Sequence, residues 1–233
     1  MASTAFSLEH ASDAIRDLGF YSEMDQELRT PMLEMGPKSC LSAEGLEFCK
    51  IHVLRDKRAR SILESFLPSC GLARYRKFHS DPGHIFQFRS GGEKAGRHVL
   101  VVKLWGSGSE VVFFDRSHRH KLPGVHASNG LWEVPFAALE SVGCGEGSEI
   151  LFEHGGLTIQ DARLAFEIRK GTPIATVFAT RDVIMKWAKV VLPNTPQIAE
   201  KAAELQEEST KIGFHFEYDT KSTAEPPSVI PGN

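Results

Sequence analysis

His98-Val-Leu-Val-Val-Lys103-Leu-Trp105-Gly-Ser-Gly-Ser109-Glu110-Val-Val-Phe-Phe-Asp115 is the stretch that decides the fold. Two runs rich in Val and aromatic residues flank a Gly-Ser-Gly-Ser break, and such side chains fit a pleated, buried surface. The break predicts a hairpin loop, and its glycines serve turn geometry rather than phosphate binding because no helix follows. Working outward, the same kind of run recurs at Ala73–Phe78, His84–Arg89, Leu131–Pro135, Glu149–Glu153, Leu157–Gln160, Leu164–Arg169 and Ile174–Thr180. Short strands with close turns and no long helical crossover argue for antiparallel pairing. The expected fold class is mostly β: a jelly roll, or cupin-like double-stranded β-helix, with its core at about residues 72–180.

Helices are expected on either side of that core. Leu8, Ala11, Ala14, Ile15 and Leu18 recur at helical spacing ahead of Gly19. A second helix, Asp56 to Leu67, puts Ala59, Ile62, Leu63 and Phe66 on one face and ends at Pro68. Between them, residues 21–41 carry Pro31, Gly36 and Pro37 and read as an irregular connection. Ser42 and Glu44 then open a short segment with Leu46, Phe48 and Ile51. Near the C-terminus, Val183, Ile184, Trp187 and Val191 form one apolar stripe. Thr195-Pro196 reads as a cap and first-turn proline before a second stripe, Ile198, Ala202, Leu205 and Ile212. The expected organisation is one domain over 1–219 and a flexible tail over 220–233.

With 41% hydrophobic residues among 233, the chain can bury a sizeable core. A formal net charge of −3 gives no whole-molecule reason to bind nucleic acid or an anionic membrane. No apolar run approaches the roughly 18–20 residues of a bilayer crossing. The N-terminal stretch does not read as a secretory signal. Cys40, Cys49, Cys70 and Cys144 form no Cys-x-x-Cys pair, which argues against a zinc ribbon, a redox dithiol or a disulfide framework. The basic residues between Arg55 and Lys77 read as a solvated helix face and a charge-guarded edge strand. A cytoplasmic chain with a small-molecule substrate is expected, with no nucleic acid and no membrane as partner and a homodimer left open.

Lys77-Phe-His79-Ser-Asp81-Pro82-Gly83 carries the first chemical candidates. Residues i and i+2 of a strand share a face, so His79 and Asp81 could grip one cation. The alternative is an Asp serving a turn beside an unrelated His. Lys103 lies in phase with Val101 and Trp105. It either snorkels outward or points into a barrel mouth, where burial would lower its pKa and suit it to catalysis. Asp161 and Arg163 are further polar candidates. His118-x-His120 is a rival metal pair, but Arg119, Lys121 and Pro123 make that segment read as an exposed turn after a strand.

The Glu110–Asp115 run followed by Ser117-His118-Arg119 resembles the strand and Ser-His-Arg turn of the phytanoyl-CoA dioxygenase-like proteins. These are a branch of the iron(II)/2-oxoglutarate oxygenases in which a His-x-Asp segment precedes that strand by a similar stretch. The resemblance covers roughly Phe78 to Thr180. It implies iron(II) on His79 and Asp81, and 2-oxoglutarate held by Arg169, whose guanidinium can bind a carboxylate bidentately. The family's distal histidine falls near Thr158 or Ile159, where this sequence departs from the pattern. His154, several residues early, is the nearest candidate for that metal ligand. The function implied is a small-molecule oxygenase on a secondary-metabolite-type substrate, with His79 and Asp81 as catalytic residues, to which the strand pattern adds Lys103. The missing ligand keeps two alternatives open. One is a metal-independent cyclase, isomerase or dehydratase without cofactor, and the other is a non-catalytic binding protein.

Overall fold

Two six-stranded sheets face each other, with strand orders β1-β9-β4-β11-β2-β13 and β6-β7-β3-β10-β5-β8. The strands are β1 (Phe20–Met24), β2 (Cys70–Lys77), β3 (Phe86–Gln87), β4 (Val99–Trp105), β5 (Ser109–Phe114), β6 (Val125–His126) and β7 (Trp132–Glu133). They continue with β8 (Ser148–Phe152), β9 (Gly156–Asp161), β10 (Ala165–Lys170), β11 (Ile174–Thr180), β12 (Val190–Leu192), β13 (Ile212–Phe214) and β14 (Phe216–Tyr218). The helices are α1 (Leu8–Asp17), α2 (Arg29–Met35), α3 (Ala43–Cys49), α4 (Lys57–Phe66), α5 (Phe136–Glu140), α6 (Arg181–Ile184) and α7 (Pro196–Glu207). The structure is a computed structural model that describes residues 6–208 and 211–220. From residue 221 onward the expected tail lies outside the described residues.

From β2 to β5, and again from β8 to β11, the chain steps repeatedly from one sheet to the other. Every pairing within the two sheets is antiparallel except β13 on β2. This is the mostly β, jelly-roll architecture expected from the short runs. One expectation needs correcting. The Gly-Ser-Gly-Ser segment is not a hairpin loop, because β4 pairs with β9 and β11 while β5 pairs with β8 and β10. All seven residues of β4 are buried, so it occupies the middle of its sheet and the following loop turns the corner between sheets.

Alternation along the strands assigns each side chain to a layer. Leu100, Val102, Leu104, Leu157 and Ile159 face outward and pack with Ile15, Leu46, Ile62, Leu63, Ala202 and Leu205 of the helices. Val99, Val101, Trp105, Phe113, Phe152, Phe166 and Val177 face inward and fill the space between the sheets. A smaller layer with Val112, Phe114 and Leu139 lies behind the second sheet.

The helix signals read as expected where caps are local. Asp56 accepts from the N–H groups of Arg58 and Ala59 at 2.8 and 3.0 Å, and Thr195 caps α7 with Pro196 in the first turn. Elsewhere the sequence reading fails. Residues 21–41 hold β1 and α2, because Pro31 sits in the first turn of α2, where its missing N–H is not required. The 183–191 stripe divides into α6 and β12, and Ile212 belongs to β13. Among the described residues no helix is long and apolar enough to cross a membrane. All four cysteines are free and buried.

Candidate functional site

Beyond Lys77 the chain leaves the sheet. Phe78 is buried, whereas His79 and Asp81 are both exposed on the connection to β3. The i, i+2 argument does not apply to them, because the strand has already ended. The Asp81 N–H donates to Ile168 O at 3.0 Å, and the Asp81 carboxylate lies 3.9 Å from His84 Nε2. His84 Nδ1 in turn meets Glu133 at 2.6 Å. His154 is exposed in the turn between β8 and β9. Arg169 lies on the outward face of β10, held by Glu149 at 2.5 Å and Glu167 at 3.4 Å. Among the described residues no three His, Cys, Asp or Glu side chains gather in a way that could hold a metal ion.

Lys103 is placed differently. Its side chain has no exposed surface and enters the space between the sheets. Its Nζ donates to Gln160 Oε1 at 2.6 Å and stands 3.1 Å from the centre of the Phe166 ring. Phe88, Phe113 and Trp105 complete a cage at 5.3, 5.5 and 5.6 Å. Ring faces attract a desolvated cation by roughly 2 kcal/mol, but burying an ammonium without a counter-ion costs several kcal/mol. Burial therefore pushes the Lys103 amine well below its ordinary pKa.

β9 supplies the partners. Thr158 stands opposite Lys103 in the β4–β9 register, and its hydroxyl accepts from Trp105 Nε1 at 2.9 Å. The position where the resemblance puts a distal histidine thus carries an inward threonine. Gln160 is fully buried, and its Nε2 has no acceptor. A buried donor left unmatched costs about 1–3 kcal/mol. Sequence reasoning singled out Lys103 but left its direction open, and it missed Gln160 and Phe88. Gln160 shares the parity of Thr158, and only knowledge of the β4–β9 pairing would have drawn it out.

One end of the barrel holds a second polar group. Asp161 is 1% exposed and accepts from Arg163 at 2.9 and 2.8 Å and from Arg97 at 3.0 Å. Burial acts to raise its pKa, but the two guanidiniums prevail and hold it below the ordinary value. Arg163 also donates to Gly92 O at 2.7 Å. His118, in a 3-10 turn at Ser117–Arg119, is 2% exposed. Burial, opposed by the Asp161 charge, pushes its pKa down to about 4. Its segment is a turn, as the sequence suggested, but Ser117 and His118 are buried rather than exposed.

Outside the barrel, a groove of about 1280 Å³ runs between α1, β1, the start of α4 and the β8–β9 turn, and His154 lines it. The polar groups around Arg58 are paired with one another. Arg58 binds Glu23 at 3.1 Å, Asp25 at 2.5 Å and Asp56 at 2.6 Å, while Tyr21 donates to Glu23 at 2.5 Å.

No protein-family model matches the chain, and no curated protein matches it. Solved structures do. Apo HygX from Streptomyces hygroscopicus is 11% identical, with 82% of this chain and 91% of that one covered at a TM-score of 0.51. The fold is the double-stranded β-helix. The epimerase SnoN, in complex with Fe3+, alpha ketoglutarate and nogalamycin RO, is 13% identical over 74% of this chain and 83% of its own, at 0.50. EctD from S. alaskensis, with 2-oxoglutarate and 5-hydroxyectoine, is 9% identical over 78% and 79%, also at 0.50. Identities this low establish shared architecture.

Iron(II) of the oxygenase kind asks for two imidazoles and a carboxylate on one face, with open positions beside them. The side chains directed inward around Lys103 are an amine, an amide, a hydroxyl and aromatic rings. His79, Asp81 and His154 are exposed, and Arg169 is committed to two carboxylates. The residues present do not fit iron with 2-oxoglutarate.

Proposed function

We propose that this chain carries out non-oxidative chemistry on a small organic molecule inside the barrel, as an isomerase- or lyase-type enzyme with Lys103 as the proton-transfer group. The observation that carries this reading is the Lys103–Gln160 pair, fully buried between the sheets with an amide donor left over. A general base works best when its pKa lies near the operating pH, and burial moves an amine in that direction. Trp105 and Thr158 fix one wall of the cage through their hydrogen bond, and the rings exclude water. The outer groove is the weaker candidate because its half-buried cation, Arg58, is already held by three carboxylates.

A second reading is favoured by the ligands of the SnoN and EctD structures: an iron(II)/2-oxoglutarate oxygenase acting on a secondary-metabolite-type substrate. Titration of the protein with iron(II) and 2-oxoglutarate under anaerobic conditions separates the two. The expected outcome is no saturable one-to-one iron binding and no 2-oxoglutarate consumption once oxygen is admitted. Stoichiometric iron binding that disappears in His79→Ala would overturn the non-oxidative reading.

A further inference from the structure

The Gln160 amide that accepts from Lys103 through Oε1 carries an Nε2 with no acceptor, in a residue without exposed surface. The site therefore presents two unmet functions side by side: a nucleophilic amine nitrogen and a hydrogen-bond donor. A carbonyl group complements both, because its carbon meets the amine lone pair while its oxygen takes the amide N–H. A carboxylate would bring a charge into a cage of aromatic rings, and an alcohol would offer no electrophilic carbon.

The cage also has one wall unlike the others. Trp105, Phe113 and Phe166 are completely buried, whereas Phe88 is half-buried. Phe88 follows the end of β3 directly and precedes Arg89-Ser90-Gly91-Gly92, in which Gly91 has φ 136°. That conformation suits glycine, so the chain turns just beyond Phe88, while the Arg89 N–H stays tied to Ala162 O at 2.9 Å and leaves the Phe88 side chain as the part free to swing. Rotation of Phe88 outward would uncover Lys103 Nζ and vacate the volume of one phenyl ring.

We propose that Lys103 is a carbonyl-reactive lysine, forming an imine with a small aldehyde or ketone admitted past Phe88 and oriented by Gln160. This rests on the non-oxidative reading, gives it a substrate class and gives Lys103 a covalent role in place of simple proton transfer. In the step, Nζ attacks the carbonyl carbon, and a proton passes from nitrogen to oxygen to give a carbinolamine. The nitrogen's second proton then passes to that oxygen as the C–O bond breaks, C=N forms and the oxygen leaves as water. The ligand is no larger than the ring it displaces.

The test is reductive trapping on the full-length protein at pH 7 with acetaldehyde and sodium cyanoborohydride, the borohydride supplying the hydride that turns the imine into a stable N-ethyl amine. Peptide mass mapping then locates the label. The expected result is ethylation at Lys103 in the wild type, about tenfold faster in Phe88→Ala, about tenfold slower in Gln160→Leu, with no label at this position in Lys103→Met. Phe88→Leu serves in place of Phe88→Ala if the latter does not fold. A Lys103 that stays unlabelled in the folded wild type and the Phe88 variants, while surface lysines are ethylated, would overturn the proposal. That failure leaves the iron titration untouched, whereas stoichiometric iron binding would remove the underlying reading whatever the label does.

Discussion

Lys103 is where stability and chemistry pull apart. Its aliphatic stem packs well, but its amine has a single polar partner among four rings. The folded-state pKa lies below the unfolded value of about 10.4, so across the interval between the two the unfolded chain binds more protons. Stability therefore rises with pH through that interval, by up to about 1.4 kcal/mol per pH unit, and is lost again as pH falls. Methionine keeps much of the shape and removes the desolvated amine. Denaturant unfolding between pH 7 and 9.5 should show the wild type gaining stability with pH. Lys103→Met should be more stable than the wild type at pH 7 and flat over the same range. A variant less stable at pH 7 with the same slope as the wild type would mean that the amine stays charged in its cage.

Among the elements, those with local causes are the ones the sequence makes legible. α4 announces itself through Asp56, its period and Pro68 within a dozen residues, and β4 through an unbroken apolar run. Pairing partners are another matter, because register depends on residues far away in the chain. Nothing near Gly106 says whether β4 turns back on itself or crosses to the other sheet. β1 and β13 are too short for an alternation to stand out, and each is held by a partner strand rather than by its own composition. The candidate site divides in the same way. Val101 and Trp105 put Lys103 on one face of β4, but both faces are apolar and buried, so only the packing of the sheets makes that face inward and brings Phe166 and Gln160 to it. His79 and Asp81 were misjudged because a two-residue repeat was applied one step beyond the strand. The β8–β9 corner offers a test of how tightly this register is drawn. A Cβ on Gly156 would lie 2.2 Å from the Phe152 ring and 2.7 Å from Glu23 O, so both the inward aromatic layer and β1 would have to shift. Gly156→Ala is expected to cost about 1–3 kcal/mol, read as a fall in Tm of several degrees, since overpacked cores lose that much. An unchanged Tm would show that β1 is not held at this corner.

For the whole molecule, the barrel end around Asp161 joins the N-terminal helices to the sheets. Asp161 N–H donates to Gly19 O at 2.9 Å, Arg116 N–H to Leu18 O at 2.8 Å, and His118 packs against Gly19, where an added Cβ would stand 2.6 Å from its Nδ1. Protonating His118 there would place a third positive charge in a setting that already holds Arg97 and Arg163. Its folded pKa of about 4 lies below the ordinary 6.5, so the unfolded chain takes up the proton first. The stability tied to a neutral His118 is complete above pH ~6.5 and is lost as pH falls through the interval down to about 4, up to about 3 kcal/mol in total. Asp161 adds to the loss at still lower pH, because its carboxylate is held below its ordinary pKa by the paired arginines as burial opposes them. Acid and alkaline limbs thus have separate owners, His118 at the barrel end and Lys103 inside it, and both slopes favour the higher pH. His118→Gln keeps a side-chain donor and cannot titrate, so its unfolding free energy should run flatter than the wild type's between pH 6.5 and 4.5 while following the same rise toward pH 9. Parallel curves for the two proteins through the acid range would assign that loss to groups other than His118 and would leave the junction between helices and barrel insensitive to this charge.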